Sequence, residues 1–218
     1  MEKRRQFLKL IFGLFIGASL LFRFIFQAAD KVYAKAKKII LPKNTDRETL
    51  RNKDPSLLNT RNLEPTPMKD FETMGDSDYR FDIGDWRLEV TGRVKRPLRL
   101  SYSQILALPS IERDVLLICP GFFANHGRWK GFSMEKLLGQ AQMDPAVTHV
   151  TFSAPDDAGG NEEKFPLSDI LSNRVFLAYG VNKETLPIEH GFPLRVVAEG
   201  HYGSAWIKYV NRVTLDKA

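Results

Sequence analysis

Asp114-Val-Leu-Leu-Ile-Cys119-Pro120-Gly121-Phe122-Phe123-Ala-Asn125-His126-Gly-Arg128-Trp129 holds the only cysteine of the 218-residue chain. Val115 to Ile118 is a short run of branched apolar side chains, which reads as a buried strand that carries Cys119 to its end. Pro120 cannot donate to a ladder and biases Cys119 toward extended backbone, and Gly121 frees the chain to turn at once. The sulfur is therefore expected at a strand-to-loop junction. The residues that follow, two phenylalanines, a histidine, an arginine and a tryptophan, read as a loop that mixes apolar wall with polar reach and suits a pocket rim. On spacing alone a small core side chain is the competing reading, since free cysteine is among the most buried residue types.

Composition narrows the classes. With 43% hydrophobic residues the chain can build one good core and is too short for two large ones. The formal charge is +6, but residues 1–40 hold nine Lys/Arg against Glu2 and Asp30, a surplus of +7. The remaining 178 residues sit near −1, which leaves no basic body to grip phosphates and excludes nucleic acid as the partner. One cysteine excludes an intramolecular disulfide, a C-x-x-C-H haem site and a zinc site with two or more thiolates. The four histidines, His126, His149, His190 and His201, show no ligand spacing.

The N-terminus sets a basic start, Lys3-Arg4-Arg5-Gln6-Phe7-Leu8-Lys9, before an apolar run from Leu10 to Phe22. That is the layout of an export signal, and Arg4-Arg5-x-Phe7-Leu8-Lys9 resembles the twin-arginine signal, whose route carries folded proteins. Residues 1–36 are read as this signal or as a membrane anchor, with residues 8–26 as a possible tether, and cleavage is left open. Residues 37–80 are polar and turn-rich, with Pro42, Pro55, Pro65 and Pro67, and read as an extended arm or linker.

Residues 81–218 read as the single folded domain. Trp86, Leu88 and Val90 alternate as a half-buried strand ended by Gly92, and Ser101/Gln104 form a capping box that opens a helix stopped by Pro109. A short helix is expected from Ser133 to Ala141, strands at Val147–Ser153 and Val175–Tyr179, and a strand end with a helical turn at Phe165–Leu171. The loop Asp156-Asp157-Ala-Gly159-Gly160 has two acids for a hard cation but lacks a full ligand set, so a solvated turn is expected. Strands and short helices at uneven spacing favour mixed α+β over a regular βαβ array.

The last informative stretch is His190-Gly191-Phe192-Pro193-Leu194-Arg195, followed by Gly200-His201-Tyr202-Gly203-Ser204-Ala205-Trp206-Ile207-Lys208. Arg195 stands inside an apolar strand, where a guanidinium is costly unless paired with an anion. Glycines that allow close backbone approach, with Lys208 as a second cation, make this a candidate phosphate-binding corner. A buried salt bridge to an acid is the alternative.

Together these segments resemble the sulfite oxidase-type molybdopterin-binding oxidoreductases, and the resemblance covers roughly Asp85 to Leu215. In that family a cysteine at a strand end, followed by Trp-x-Gly, is the protein ligand to molybdenum; here these are Cys119 and Trp129-Lys130-Gly131. The family's Gly-x-Pro-x-Arg strand, Tyr-Gly and Lys match Gly191-Phe-Pro193-Leu-Arg195, Tyr202-Gly203 and Lys208. The resemblance implies a mixed-sheet α+β fold and a molybdenum–molybdopterin cofactor. Cys119 is implied as metal ligand and catalytic group. Pterin contacts are implied at His190, Arg195, Trp206, Ile207 and Lys208, with Phe71, Met74 and Gly75 as weaker candidates. Pro120-Gly121-Phe122-Phe123 departs from many relatives, which have a Trp four residues after the cysteine, so the substrate face differs.

The implied activity is oxygen-atom and two-electron transfer on a small S-oxide, N-oxide or sulfite-like substrate, in the periplasm or on the outer face of the cytoplasmic membrane. Sulfite would want cations near the metal, for which Arg128 and His126 are candidates; a neutral oxide would suit a Phe122/Phe123 wall. With its one cysteine committed, the chain cannot ligate an iron–sulfur cluster, so a membrane haem subunit or soluble cytochrome is expected as redox partner. The reading from another class is a non-catalytic exported binding or assembly module on the same scaffold.

Overall fold

A computed structural model of the chain describes residues 38–75 and 77–217. The export signal and tether expected over residues 1–36 lie outside the described residues. Two five-stranded sheets carry the fold. The central one runs β10 (Glu184–Thr185), β9 (Val175–Val181), β6 (Phe123–Phe132), β5 (Ser110–Cys119), with β11 (Arg195–Ala198) also on β9, all antiparallel. The second runs β4 (Leu98–Leu100), β3 (Leu88–Gly92), β12 (Arg212–Asp216), β7 (His149–Ser153), β8 (Glu162–Pro166). In it β12 lies parallel to β3 and antiparallel to β7, so the sheet is mixed. Among the described residues three short helices, α1 (Tyr102–Leu106), α2 (Met134–Gln140) and α3 (Leu167–Leu171), join the sheets in an α+β architecture.

Local sequence explains most of this. Ser101 accepts from the Gln104 N–H while the Gln104 side chain accepts from the Ser101 N–H, so the expected capping box opens α1. Leu88 and Val90, Val150 and Phe152, and Val213 and Leu215 alternate inward from β3, β7 and β12. β9 is buried along its whole length, which explains why it reads as an unbroken apolar run.

The four apolar residues before Cys119 are all buried because β5 is covered on both faces. Val115 and Leu117 enter the main core, whereas Leu116 and Ile118 join a second cluster with Leu41, Leu50, Leu58 and Leu63. Residues 38–63, within the stretch read as an extended arm, therefore supply the cover of β5's second face. They hold two short parallel strands, β1 (Ile39–Ile40) and β2 (Leu58–Asn59), and single 3-10 turns capped by Asp46 and Asp54.

The expected loop after Cys119 is a strand. Only Pro120–Phe122 turn, and Phe123–Phe132 pairs with β5 from Cys119↔Phe123 to Ser110↔Phe132. On its other edge β6 meets β9 through a register shift at Lys130/Gly131. A Cβ on Gly131 would stand 2.1 Å from the Leu177 carbonyl oxygen, a backbone atom with no room to move. Gly131→Ala is therefore expected to destabilise the fold by about 3 kcal/mol or more, measured by urea denaturation.

Candidate functional site

β5 ends at Cys119, and the turn behind it is fixed: Gly121 takes φ +80°, its N–H donates to the Arg51 carbonyl (3.2 Å), and the Phe122 N–H donates to the Cys119 carbonyl (3.0 Å). Facing the cysteine, Tyr202 bridges to Ile118 in parallel, and Gly203 passes so close that a Cβ there would be 3.3 Å from the Ile118 oxygen. This seats residues 203–208 against the end of β5. Gly191, at φ +104°, completes the corner: a Cβ would meet Lys208 Cβ at 3.0 Å and Arg195 Cβ at 3.1 Å. The Val196 N–H donates to the Ile207 carbonyl (2.8 Å), so Arg195 and Lys208 lie on neighbouring segments.

The result is an open cavity of about 340 Å³ that brings together Cys119, Met74, Gly75, Arg195, Trp206, Ile207 and Lys208. Seven of the nine expected site residues, Cys119 included, thus border one space. Phe71 and His190 do not line it. They stand behind it, with Phe71 edge-on to both Trp129 (5.6 Å) and His190 (5.3 Å). Leu117, Phe123, Ala158, Asn161, Ser204 and Tyr209 also line the cavity. Ala158 and Asn161 come from the Asp156–Asn161 loop, considered at first for a cation. Among the described residues no group of three or more His, Cys, Asp or Glu could hold a metal ion, and the Asp157 charge adds to burial in pushing the Tyr79 pKa up.

Arg195 is the unusual group. It is 4% exposed, and among the described residues no carboxylate pairs with it, so the salt-bridge alternative does not hold. Nη1 donates to the His190 carbonyl (3.0 Å) and Nη2 to the Trp206 carbonyl (3.3 Å), while the guanidinium carbon sits 5.4 Å from the Trp129 ring centre and 5.7 Å from that of Trp206. Its Nε and the His190 Nδ1 are buried without a hydrogen-bond partner. Burial lowers the Arg195 pKa to about 10, which leaves it charged at neutral pH. Two indole faces and two carbonyls spread that charge without neutralising it, so the corner suits an anion.

Burial pushes the His190 pKa down to about 4, with the nearby Arg195 charge adding to the effect. Between pH 6.5 and 4 the unfolded chain binds a proton at this site that the folded chain refuses, so stability falls as the pH drops through that window. The loss should approach about 3 kcal/mol at its lower end. Denaturation of the cofactor-free chain at several pH values checks this, and His190→Asn should flatten the slope. His126 is displaced in the same direction by burial.

The two cations considered for an anionic substrate are placed elsewhere. His126 is 1% exposed and faces the Glu64 carbonyl (3.3 Å). Arg128 forms a two-pronged pair with Asp114 (2.8 and 3.0 Å). Both follow from β6 being a strand, which turns these side chains away from Cys119. Of the Phe122/Phe123 wall, Phe123 lines the cavity and Phe122 is 56% exposed outside its lining.

Part of the stretch read as an extended arm forms one wall. Residues 64–75 run along β6 as a strap held by side chains. The Thr66 N–H donates to the His126 carbonyl (2.7 Å), and the His126 N–H donates to Thr66 Oγ1 (2.9 Å). Asn182 Nδ2 donates to the Thr66 carbonyl (2.8 Å). Buried Asn125 holds both backbone groups of Glu72, donating to its carbonyl (2.7 Å) and accepting from its N–H (3.3 Å).

One cavity is thus lined by a soft sulfur and by two cationic side chains, Arg195 and Lys208, a donor set that suits an anionic cofactor with a soft metal centre. Residues 75–218 match the oxidoreductase molybdopterin binding domain, and the chain belongs to this family, whose fold is of the sulfite oxidase type. It is 32% identical over 183 residues to the protein-methionine-sulfoxide reductase catalytic subunit MsrP of Gluconobacter oxydans, covering 71% of this chain and 58% of that protein. It is 33% identical over 144 residues to the uncharacterized oxidoreductase YuiH of Bacillus subtilis, covering 66% of this chain and 71% of YuiH. NADH nitrate reductase of Lotus japonicus is 30% identical over 194 residues, which span 21% of it. The crystal structure of sulfane dehydrogenase SoxCD from Paracoccus pantotrophus shares the fold at TM-score 0.60 and 24% identity, over 64% of this chain and 40% of the other. The chain thus spans 58% of MsrP and about a fifth of the nitrate reductase.

Proposed function

We propose that this chain is a molybdopterin-dependent oxidoreductase that reduces a neutral S-oxide or N-oxide with electrons from a separate partner. The observation that carries it is the placement of Cys119, Arg195 and Lys208 around one cavity. The donor set fits the cofactor: Arg195 offers a buried Nε without a partner and, among the described residues, a cation without a carboxylate, and Gly191 lets Arg195 and Lys208 pack side by side. Bound there, the cofactor supplies two-electron oxygen-atom transfer chemistry.

The chain's own residues bind and shape. Cys119 Sγ provides the soft ligand; burial pushes its pKa up, so the thiol keeps its proton until a metal replaces it. Arg195 and Lys208 would hold the cofactor's phosphate, Trp206 and Ile207 would flank it, and Gly75, at φ +77°, turns the strap at the cavity's edge. Phe71 and His190 act from behind by fixing Trp129 and the Arg195 turn. Beside Cys119 the cavity presents Leu117, Phe123 and Met74 rather than cations, because His126 and Arg128 are engaged elsewhere. That wall favours a neutral oxide over sulfite.

A separate electron donor follows from ligand counting, since the one cysteine is committed and the described residues hold no other metal cluster. The name of the Gluconobacter relative, a catalytic subunit, supports the same arrangement. Export by the twin-arginine route, a periplasmic location and a tether through residues 8–26 belong to this proposal and rest on sequence alone; no helix among the described residues is long and apolar enough to cross a membrane. Viologen-coupled reduction of methionine sulfoxide, compared with sulfite oxidation by the same preparation, is the test. Reduction of the sulfoxide with little sulfite oxidation is expected, and the reverse would overturn the substrate assignment.

A further inference from the structure

The strap that walls the cavity ends in a thioether laid on the site's sulfur. Asn125 grips Glu72 by both backbone groups, and the Thr73 hydroxyl donates to the Glu189 carbonyl (3.1 Å). The next residue is Met74, whose Sδ stands 3.7 Å from Cys119 Sγ. Two anchors immediately before it hold that position, and the side chain is 45% exposed at the cavity mouth. The other described methionines differ. Met134 is fully buried, Met143 is partly buried against the core, and Met68 is partly buried with its sulfur accepting from Asn182 Nδ2 at 3.5 Å. Met74 is thus the exposed thioether among the described residues, and it borders the site whose proposed chemistry acts on oxidised sulfur.

We propose that Met74 is the chain's first oxidation site and an internal substrate: a peroxide converts it to the sulfoxide, and the loaded enzyme reduces it in place. This rests on the S-oxide reading given above. In the first step the peroxide O–O bond breaks and an S–O bond forms on Sδ. The thioether loses two electrons, and water leaves. In the return step the S–O bond breaks, two electrons from the external donor and two protons carry the oxygen away as water, and the thioether is restored. Tethering removes the cost of binding a separate molecule, because Asn125 and Thr73 already present the sulfur at the site. Met74 would then take up oxidant at the mouth before it reaches Cys119, and the damage would be reversible, unlike over-oxidation of the cysteine.

The test uses limiting hydrogen peroxide on cofactor-loaded and cofactor-free protein, with peptide mass spectrometry reading oxygen added at each methionine and at Cys119. Oxidation at Met74 is expected to exceed that at Met68, Met143 and Met134 by about tenfold or more in both forms. Anaerobic addition of reduced methyl viologen should then clear Met74 of oxygen in the loaded protein and leave it in the cofactor-free protein. Met74→Leu should show irreversible Cys119 oxidation at a lower peroxide dose than wild type. Oxidation spread evenly over the methionines would overturn the inference. So would a Met74 sulfoxide that persists while the same preparation reduces added methionine sulfoxide. If the loaded protein reduces neither, the S-oxide reading falls and takes the repair step with it.

Discussion

Cys119→Ser is expected to lower turnover at least about a thousandfold while leaving the fold intact. A serine hydroxyl is a hard donor that holds its proton, and it cannot replace a thiolate on a soft metal. Stability should change by less than about 1 kcal/mol, since Cys119 is only partly buried at a strand end and, among the described residues, its sulfur's hydrogen-bond-range contact is with Met74. A viologen-coupled assay and a denaturation curve on the same sample separate the two effects. A folded variant that retained half of its activity would remove the sulfur from the chemistry. It would instead support a binding module.

Arg195→Met should separate cofactor retention from folding just as clearly. In the cofactor-free chain the guanidinium costs energy as a buried cation with no carboxylate partner among the described residues, but it also satisfies the carbonyls of His190 and Trp206. These contributions oppose each other, so the stability of the cofactor-free variant should stay within about 2 kcal/mol of wild type. Cofactor content after purification should fall by about tenfold or more, because the anion loses its forked donor. Pterin fluorescence after acid release measures this. If Arg195 only stitched two carbonyls together, the variant would lose stability and keep whatever cofactor its folded fraction could bind.

The features legible in the sequence were those written in contiguous residues. Pro120-Gly121 after an apolar run marked the end of β5, Ser101 with Gln104 marked the start of α1, and an arginine between Leu194 and Val-Val-Ala marked an unusual charge. The α+β class followed from the uneven alternation of such signals. What escaped was written across distance. β6 read as a loop because Asn125, His126 and Gly127 interrupt its apolar pattern. Those interruptions are where the strap at 64–75 crosses it, with Asn125 and His126 buried under polar backbone they satisfy. The 38–63 segment read as linker because Leu41, Leu50, Leu58 and Leu63 follow no period. They converge only on the second face of β5. Ala158, Asn161 and Ser204 enter the cavity wall through loop placement alone, and nothing in their local sequence announces it.

The central claim is that Cys119 is the protein's ligand to molybdenum in a cavity where Arg195 and Lys208 would hold the cofactor's anion. Its most direct test is the molybdenum K-edge X-ray absorption spectrum of the protein purified from a host that makes the cofactor, recorded for wild type and Cys119→Ser. The account predicts stoichiometric molybdenum in wild type, with a sulfur neighbour that is missing from the spectrum of the variant. Identical sulfur shells in the two spectra, or folded wild-type protein free of molybdenum, would contradict it.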